Sequence, residues 1–155
     1  MSIEKEIKQV NKFRNEWHKA SVNILYTNGW VLQQQKHHLD RGCLTPQQYN
    51  ILRILKGSST PLSTLQIRER MLDKMSDTSR IVDRLIAKEL VSKCTNQGDK
   101  RLVDVSISPK GRELLDWMDK FTSELDTILD NLTKEEVVQL NFLLDKARDK
   151  KETGH

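Results

Sequence analysis

The sequence predicts a mainly α-helical protein with one small β-hairpin. Apolar residues recur at helical spacing through most of the 155 residues. Three segments begin with a serine or threonine that is followed three positions later by a glutamine or glutamate, which is the signature of a capped helix start. The segment 103–107 alternates apolar and polar residues with the period of a half-buried strand. The chain length suits a single domain with extensions.

The N-terminal part of the chain predicts helices. Apolar residues between positions 3 and 39 keep close to helical spacing, which indicates one long helix or two consecutive ones, with Gly29 as a candidate bend. The next helix is expected to begin at Thr45, because Gln48 completes a capping box, and to end at Gly57.

Two more helices and the hairpin follow. Ser63 and Gln66 form a capping pair that opens a helix running to about residue 72. A further helix is expected over 75–89, with its buried side formed by Met75, Thr78, Ile81, Val82, Leu85 and Ile86. Asp77, Arg80, Arg84 and Lys88 follow the same period on the opposite side. The segments 91–95 and 101–107 are then expected to pair around a glycine-bearing turn.

The C-terminal part predicts two more helices. Ser108 is expected to cap a helix whose apolar seam steps by four and three residues through Leu114, Met118, Phe121, Leu125, Ile128 and Leu132. Thr133 and Glu136 form a third capping box. It opens a last helix, and the side chains expected to face inward from it are those of Val137, Leu140, Leu144 and Ala147. A frayed end is expected at 150–155.

Composition restricts the location and the partners of the protein. Charged residues make up 31% of the chain, and no apolar stretch approaches the roughly 18 residues that span a bilayer. The N-terminus lacks the apolar run of a secretory signal, so we expect a cytoplasmic protein with no membrane partner. Net charge is +5 over residues 1–61, +4 over 62–112 and −5 over 113–155, which favours an anionic partner for the first two thirds.

The middle of the chain has the element order of a winged helix-turn-helix, which places its last helix in the DNA major groove. We therefore expect contacts to DNA from the helix at 75–89 and the residue before it, through Lys74, Ser76, Asp77, Ser79, Arg80, Arg84 and Lys88. Asp77 would repel phosphate, so we expect it either to accept a hydrogen bond from a cytosine amino group or to orient Arg80 and Arg84.

Three stretches resemble the MarR-type transcriptional regulators. They are LTPQQYNIL at 44–52, SRIVDRL at 79–85 and DKRLVDVSISPKG at 99–111, of which the last is the most specific. The resemblance implies that Arg101 at the tip of the hairpin, or wing, enters the minor groove while Asp99 holds it in place and Lys100 lies beside it. A narrow groove concentrates negative potential, which suits a guanidinium.

The resemblance also implies an arrangement and a partner for the whole chain. Residues 1–40 and 111–150 would form dimerisation helices that interlock between two subunits, and 44–110 would form the winged helix-turn-helix. The expected function is binding of double-stranded DNA by a homodimer at a pseudo-palindromic operator, with repression of transcription. Many relatives bind small aromatic compounds between these parts, and Trp30, Tyr49 and Trp117 are the residues expected to line such a cleft.

Enzyme, metal and redox functions find little support in the sequence. It holds no nucleophile elbow, phosphate loop or dinucleotide fingerprint, so we expect no catalytic residues and no cofactor. His37 and His38 are adjacent and would point about 100° apart on a helix, so we expect surface histidines and no metal site. Cys43 is expected to be the more exposed thiol, and Cys94 to fill space within a strand.

Simpler interpretations remain open beside these expectations. The charged helix side can be only solvated, and Arg101 can be a turn residue paired locally with Asp99. Basic residues in and around the hairpin weigh against the first interpretation; they are Lys93, Lys100, Arg101, Lys110 and Arg112. The terminal helices can form a hairpin within one chain, and the three aromatic residues can be ordinary core. The alternative function is a helical module that binds an acidic protein partner.

Overall fold

The computed structural model describes residues 1–149. Its elements are, in order, α1 (Ile3–Glu6), α2 (Glu16–Arg41), α3 (Pro46–Lys56), β1 (Leu62–Ser63), α4 (Thr64–Arg70), α5 (Thr78–Ala87), β2 (Val91–Thr95), β3 (Val103–Ile107), α6 (Pro109–Met118), α7 (Ser123–Asp126) and α8 (Lys134–Arg148). Short 3-10 turns at Asp119–Phe121 and Thr127–Leu129 flank α7. The predicted fold class, mainly helical with a small β wing, is confirmed.

The N-terminal region forms the one-turn helix α1 and the long helix α2, but residues 7–15 between them are not helical, so the helical spacing expected there was wrong. The second helix, α2, begins at Asn15, whose side-chain oxygen accepts a hydrogen bond of 2.9 Å from the His18 backbone N–H. Gly29 lies within α2, which continues through it from residue 16 to residue 41, so the expected bend does not interrupt the helix. Among residues 1–149 no helix has the length and apolar character needed to cross a membrane.

The capping boxes predicted for three helices all form. In each one the capping hydroxyl accepts from the backbone N–H three residues on, and the side chain there accepts from the backbone N–H of the cap; the pairs are Thr45 with Gln48, Ser63 with Gln66, and Thr133 with Glu136. These contacts satisfy N–H groups that the first helical turn leaves unpaired. Helix starts are therefore fixed by residues only three positions apart.

The three strands form one antiparallel sheet in the order β1-β3-β2. The predicted hairpin pairs Val91 with Ile107 at its base. The sequence did not predict β1, a two-residue strand that pairs Leu62 with Val105. The core lies between this sheet and α3–α6, and its fully buried side chains are Ile51, Leu52, Ile67, Val82, Leu85, Val105, Leu115 and Met118.

The helix expected over 75–89 is shorter than predicted. It is α5, which begins at Thr78, so Met75 lies in the preceding loop with 93% of its surface exposed. The prediction that Met75 is buried was wrong. The loop is held by Asp73, whose carboxylate accepts a 3.0 Å hydrogen bond from the Met75 N–H and whose carbonyl accepts one of 2.7 Å from the Ser76 hydroxyl.

The apolar seam predicted for the C-terminal helices is present, but few of the residues in these helices are fully buried. Every seam residue from Leu114 to Leu132 is buried or half-buried, although 3-10 turns interrupt the helix between them. No residue of α8 is buried, and Ala147, expected to turn inward, is exposed. The frayed end predicted at 150–155 lies outside the described residues.

Gly111 is required by a close approach between α6 and the base of the wing. A Cβ at this position would lie 2.3 Å from the Leu90 carbonyl oxygen and 2.8 Å from Cγ1 of Ile107. A Cβ at Gly29 in α2 would meet nothing within 4 Å. The two glycines therefore differ in the space around them, although both lie in helices.

We expect Gly111→Ala to lower the free energy of unfolding by about 1–3 kcal/mol, because backbone must move to admit the methyl group. The matched variant Gly29→Ala is expected to raise it by about 0.5–1 kcal/mol, since alanine is the better helix former. Urea denaturation followed by circular dichroism measures both. Equal effects of the two substitutions would contradict the close approach at Gly111.

A group of ion pairs connects α3 to the helical run after the wing. The Arg53 guanidinium donates to one oxygen of Asp119, and the Lys56 ammonium lies 3.0 Å from the other. The Lys56 ammonium also contacts Asp116 at 2.6 Å. The hydrogen bond from Arg53, with the one from Lys56, lowers the pKa of Asp119 from 3.8 to about 2. The charged form of this carboxylate is thus favoured by folding.

Because folding lowers this pKa, the stabilisation is fully present above the unfolded value and is lost as the pH falls. We expect wild type to melt at a higher temperature than Asp119→Asn above about pH 4, with the difference vanishing toward about pH 2. Scanning calorimetry across this range measures it. Asp130→Asn, which removes an exposed carboxylate that forms no ion pair within residues 1–149, serves as the control; a gap that stays constant with pH for Asp119→Asn would contradict the assignment.

Candidate nucleic-acid interface

Helix α5 has one packed side and one free side. Val82 and Leu85 are completely buried in the core. On the opposite side the Arg80 side chain is 72% exposed, and Arg84 is exposed and forms no ion pair within residues 1–149. These four residues repeat at helical spacing. Because Val82 and Leu85 are buried, the guanidinium groups of Arg80 and Arg84 face solvent.

Asp77 caps α5 rather than lying on its exposed side. Its Oδ1 accepts a 3.2 Å hydrogen bond from the Arg80 backbone N–H, while its Oδ2 lies 3.9 Å from the Arg80 side-chain Nε. The carboxylate therefore satisfies an unpaired N–H of the first turn and lies near the guanidinium that it was expected to orient. The sequence analysis predicts Asp77 inside the helix because the predicted start at residue 75 is three positions too early.

The start of α5 borders two open clefts. One of about 410 Å³ lies between α4 and the start of α5 and is lined by Thr64, Leu65, Arg68, Ser76, Asp77, Thr78 and Ser79. The other, about 270 Å³, separates α5 from the start of α3, and its charged lining residues are Asp73, Asp77, Arg80 and Arg84. The predicted residues Ser76, Ser79, Arg80 and Arg84 are thus brought together.

Arg68 is a residue of this surface that the sequence analysis missed. It lines the cleft beside α5 and forms no ion pair within the described part of the chain. The element order offered a signal, since the first helix of a helix-turn-helix crosses the DNA backbone. Lys74 lies in the loop between the two helices, and its ammonium donates to the Glu69 carbonyl.

Lys88 departs from the predicted exposed side. It is half-buried, and its ammonium donates to the Cys43 carbonyl and, at 3.2 Å, to the Gln48 side-chain oxygen. The physical reason is tertiary, since the end of α5 lies against the connection between α2 and α3 and the start of α3, whose oxygens accept from the ammonium. The Lys88 ammonium thus connects the end of α5 to the segment between α2 and α3 and to α3 itself.

The wing tip is organised around Asn96 and Asp99. The Asn96 side-chain oxygen accepts from the backbone N–H groups of Gly98 and Asp99 at 2.8 and 2.9 Å. Asp99 in turn accepts from the backbone N–H and the Nε of Arg101 at 3.0 and 3.3 Å. The Arg101 side chain is 90% exposed. Asp99 therefore fixes the base of an arginine whose terminal nitrogens project into solvent, beside the exposed Lys100.

Two other cations near the wing are neutralised. Lys93 pairs with Asp83 at 2.7 Å, and Lys110 pairs with Glu89 at 3.2 Å. The first contact links β2 to the middle of α5, and the second links α6 to Glu89, two residues after α5. Within the described hairpin Lys100 forms no ion pair and the Arg101 guanidinium contacts Asp99 only through Nε, so the positive charge available to a partner is concentrated at these two residues.

The three aromatic residues expected in a ligand cleft have different surroundings. Tyr49 packs edge-on against His38 with ring centroids 5.8 Å apart, and Trp117 packs against Phe121 at 5.4 Å. Trp30 is half-buried within α2. Neither cleft beside α5 includes any of the three residues.

His38 is buried, whereas the sequence predicted a surface histidine. It is 2% exposed, and neither ring nitrogen has a hydrogen-bond partner within residues 1–149. Burial lowers the pKa of the imidazole below its ordinary value, and the nearby Arg41 lowers this pKa further. The reason for burial is that α3 packs over this turn of α2, which adjacent sequence positions do not reveal.

The cysteines differ from expectation in one respect. Cys43 is exposed as predicted, but Cys94 is also exposed, because it pairs with Asp104 on the face of the sheet opposite to buried Val105. The prediction that Cys94 fills space was wrong. Among residues 1–149 no group of three histidine, cysteine, aspartate or glutamate side chains is placed to hold a metal ion.

A packed three-helix unit with arginines on its third helix and a basic hairpin beside it defines a winged helix-turn-helix of the DNA-binding class. The sequence model of a protein family described as the MarR family matches residues 44–102. The transcriptional regulator MhqR of Bacillus subtilis is 30% identical over 113 residues, which cover 71% of this chain and 76% of that protein. The transcriptional repressor MdtR of the same organism is 29% identical over 119 residues, covering 74% of each chain.

Solved structures share the fold. A mutant MarR of Escherichia coli complexed with operator DNA has a TM-score of 0.80 at 22% identity and covers 90% of this chain and 100% of that one. The organohalide-sensing regulator RdhR bound to 2,4-dichlorophenol has a TM-score of 0.80 at 20% identity and covers 90% and 85%. This chain belongs to the MarR family, so it is a transcriptional regulator and not an enzyme.

Proposed function

We propose that this regulator binds a pseudo-palindromic operator as a homodimer and represses transcription. The observation that carries the proposal is the free side of α5, where Arg80 and Arg84 are exposed on a helix whose other side is fully packed. Arginines can contact phosphates or form bidentate hydrogen bonds with guanine in the major groove. Ser76 and Ser79 line the cleft at the start of α5, Lys74 lies in the loop before it, and Arg101 would reach the adjacent minor groove with Lys100 on a neighbouring phosphate.

The terminal helices support a second copy of the chain as partner. Large apolar side chains are exposed on α2 and α8; they are Trp17, Ile24, Leu25, Tyr26, Leu32, Val138, Phe142 and Leu143. Exposed apolar area on this scale marks an interaction surface. A symmetric dimer would cover it and would place two α5 helices about 34 Å apart, which is one turn of DNA.

We further propose that a small aromatic effector regulates DNA binding from the junction of α2 and α3. The unpartnered nitrogens of buried His38 lie there beside Tyr49, and the similar RdhR structure holds a dichlorophenol. Such a compound would act by binding differently to dimers that fit the operator and dimers that do not. Titrating small phenols into the protein–DNA complex tests this step, and no change in DNA affinity would refute it.

Selection of bound duplexes from a random pool is the decisive test of the proposed function. A two-fold symmetric consensus would support a homodimer on a pseudo-palindrome and would give the half-site spacing. Binding without any sequence preference would instead favour the alternative, a module for an acidic protein partner. Repression is then measured with the selected site placed over a promoter.

Arg80→Ala is expected to weaken binding to the selected site by about 1–3 kcal/mol and to relax the preference at one base position, because a bidentate contact to a base would be lost. Repeating the selection with the variant measures both effects. Arg148→Ala, which removes a guanidinium from α8, is the matched control. An unchanged consensus for Arg80→Ala would remove this residue from the base contacts.

Arg101→Ala is expected to weaken binding most where the half-sites are flanked by A·T-rich sequence, since a narrow minor groove attracts a guanidinium. Affinities for A·T-rich and G·C-rich flanks measure the difference. The neighbouring Lys100→Ala should reduce both affinities equally, as expected for a phosphate contact. Equal losses on both flanks for Arg101→Ala would argue against groove insertion and for a local turn role.

A further inference from the structure

The winged module exposes large apolar side chains only near its predicted DNA contacts. Within residues 44–110 these side chains are Leu65, Leu72, Met75, Leu102 and Val103. The first three lie on α4 and in the loop before α5, and the last two follow Arg101 in the wing. Helices α3 and α5 and strand β2 expose none. Single exposed apolar residues need no explanation, but this distribution does.

Leu65 and Met75, which we call the apolar pair, flank the start of α5. Leu65 is 64% exposed and lines the same cleft as Ser76 and Ser79. Met75 is 93% exposed and directly precedes Ser76. Asp73 holds the backbone of Met75 through a 3.0 Å hydrogen bond, so a fixed loop presents this side chain to solvent.

The surroundings of the apolar pair favour a polyanion as its occupant. Arg68 lines the cleft without an ion pair in the described chain, and the exposed Arg80 lies one turn into α5. An apolar protein surface would leave these guanidinium groups desolvated, whereas duplex DNA supplies phosphates for them. Duplex DNA also offers an apolar group on its base edges, because thymine carries a C5-methyl group in the major groove.

We propose that the apolar pair recognises thymine methyl groups in the operator and so contributes to its sequence specificity. This inference rests on the proposed function, because it requires that α5 enter the major groove. Arginines alone discriminate guanine; the apolar pair adds discrimination of T·A from C·G pairs next to them. The side chains do so by burying the methyl group, which removes apolar area from water.

Replacing thymine with deoxyuridine in the selected operator tests this inference, since only the methyl group is removed. Each thymine of one half-site is replaced in turn, and affinity is measured at fixed salt. Wild type is expected to lose about fourfold in affinity at one or two positions, the value of one buried methyl group. In Met75→Ala or Leu65→Ala, deoxyuridine at the corresponding position should leave the affinity about equal to that for thymine. Met75→Leu should keep the fourfold difference.

Leu72→Ala is the matched control. Its side chain is 87% exposed in the same loop, but its backbone N–H is held by Asn50 of α3 at 2.9 Å, it lines neither cleft at the start of α5, and it lies four positions from Ser76, which Met75 adjoins. This variant should keep the full discrimination between thymine and deoxyuridine. Loss of discrimination in Leu72→Ala as well would overturn the assignment to the apolar pair.

The outcomes separate the inference from the proposed function. If all variants lose affinity on deoxyuridine as wild type does, the effect arises from duplex flexibility and the inference is wrong, while the operator stands. The inference is also wrong, and the operator again stands, if deoxyuridine leaves the affinity of wild type unchanged. If the random pool yields no preferred duplex, the proposed function fails, and the inference fails with it.

Discussion

The burial of one side of α5 is the constraint on which the rest of the structure depends. Val82 and Leu85 are fully removed from solvent, and burial of such side chains contributes about 1.5–3 kcal/mol each. Because the helical period couples every side chain to its neighbours three and four positions away, this packing determines the direction of Arg80 and Arg84. The core thus fixes the orientation of these two exposed guanidinium groups.

Both ends of α5 are held as well. At its start Asp77 caps the first turn, and Asp73 holds the preceding loop. At its end Lys88 donates to the α2–α3 connection, and the close approach of Gly111 to Leu90 fixes the base of the wing. These contacts order α5 in the free protein, so that less conformational entropy would be lost if α5 enters a DNA groove as proposed.

The junction between the winged module and the terminal helices is rich in charge. Arg41 of α2 forms two hydrogen bonds of 2.8 and 2.9 Å with Glu124 of α7, and Arg53 and Lys56 of α3 hold Asp119. His38 lies buried beside them without a partner for its ring nitrogens in the described chain. A movement of α2 relative to the module would alter these contacts together. The junction is therefore a physical route by which the separation of two α5 helices in the proposed dimer could be changed.

The amino-acid sequence by itself determined the features that depend on near neighbours. The starts of α3, α4 and α8 were predictable because an unpaired N–H is satisfied three residues away, and the hairpin because alternation in 103–107 is local. Only the tertiary structure decided the pairing of β1 with β3, the burial of His38, the exposure of Cys94 and the direction of Lys88. Each of these depends on a residue or chain segment distant in sequence, and no local pattern of charge or hydrophobicity records such a contact.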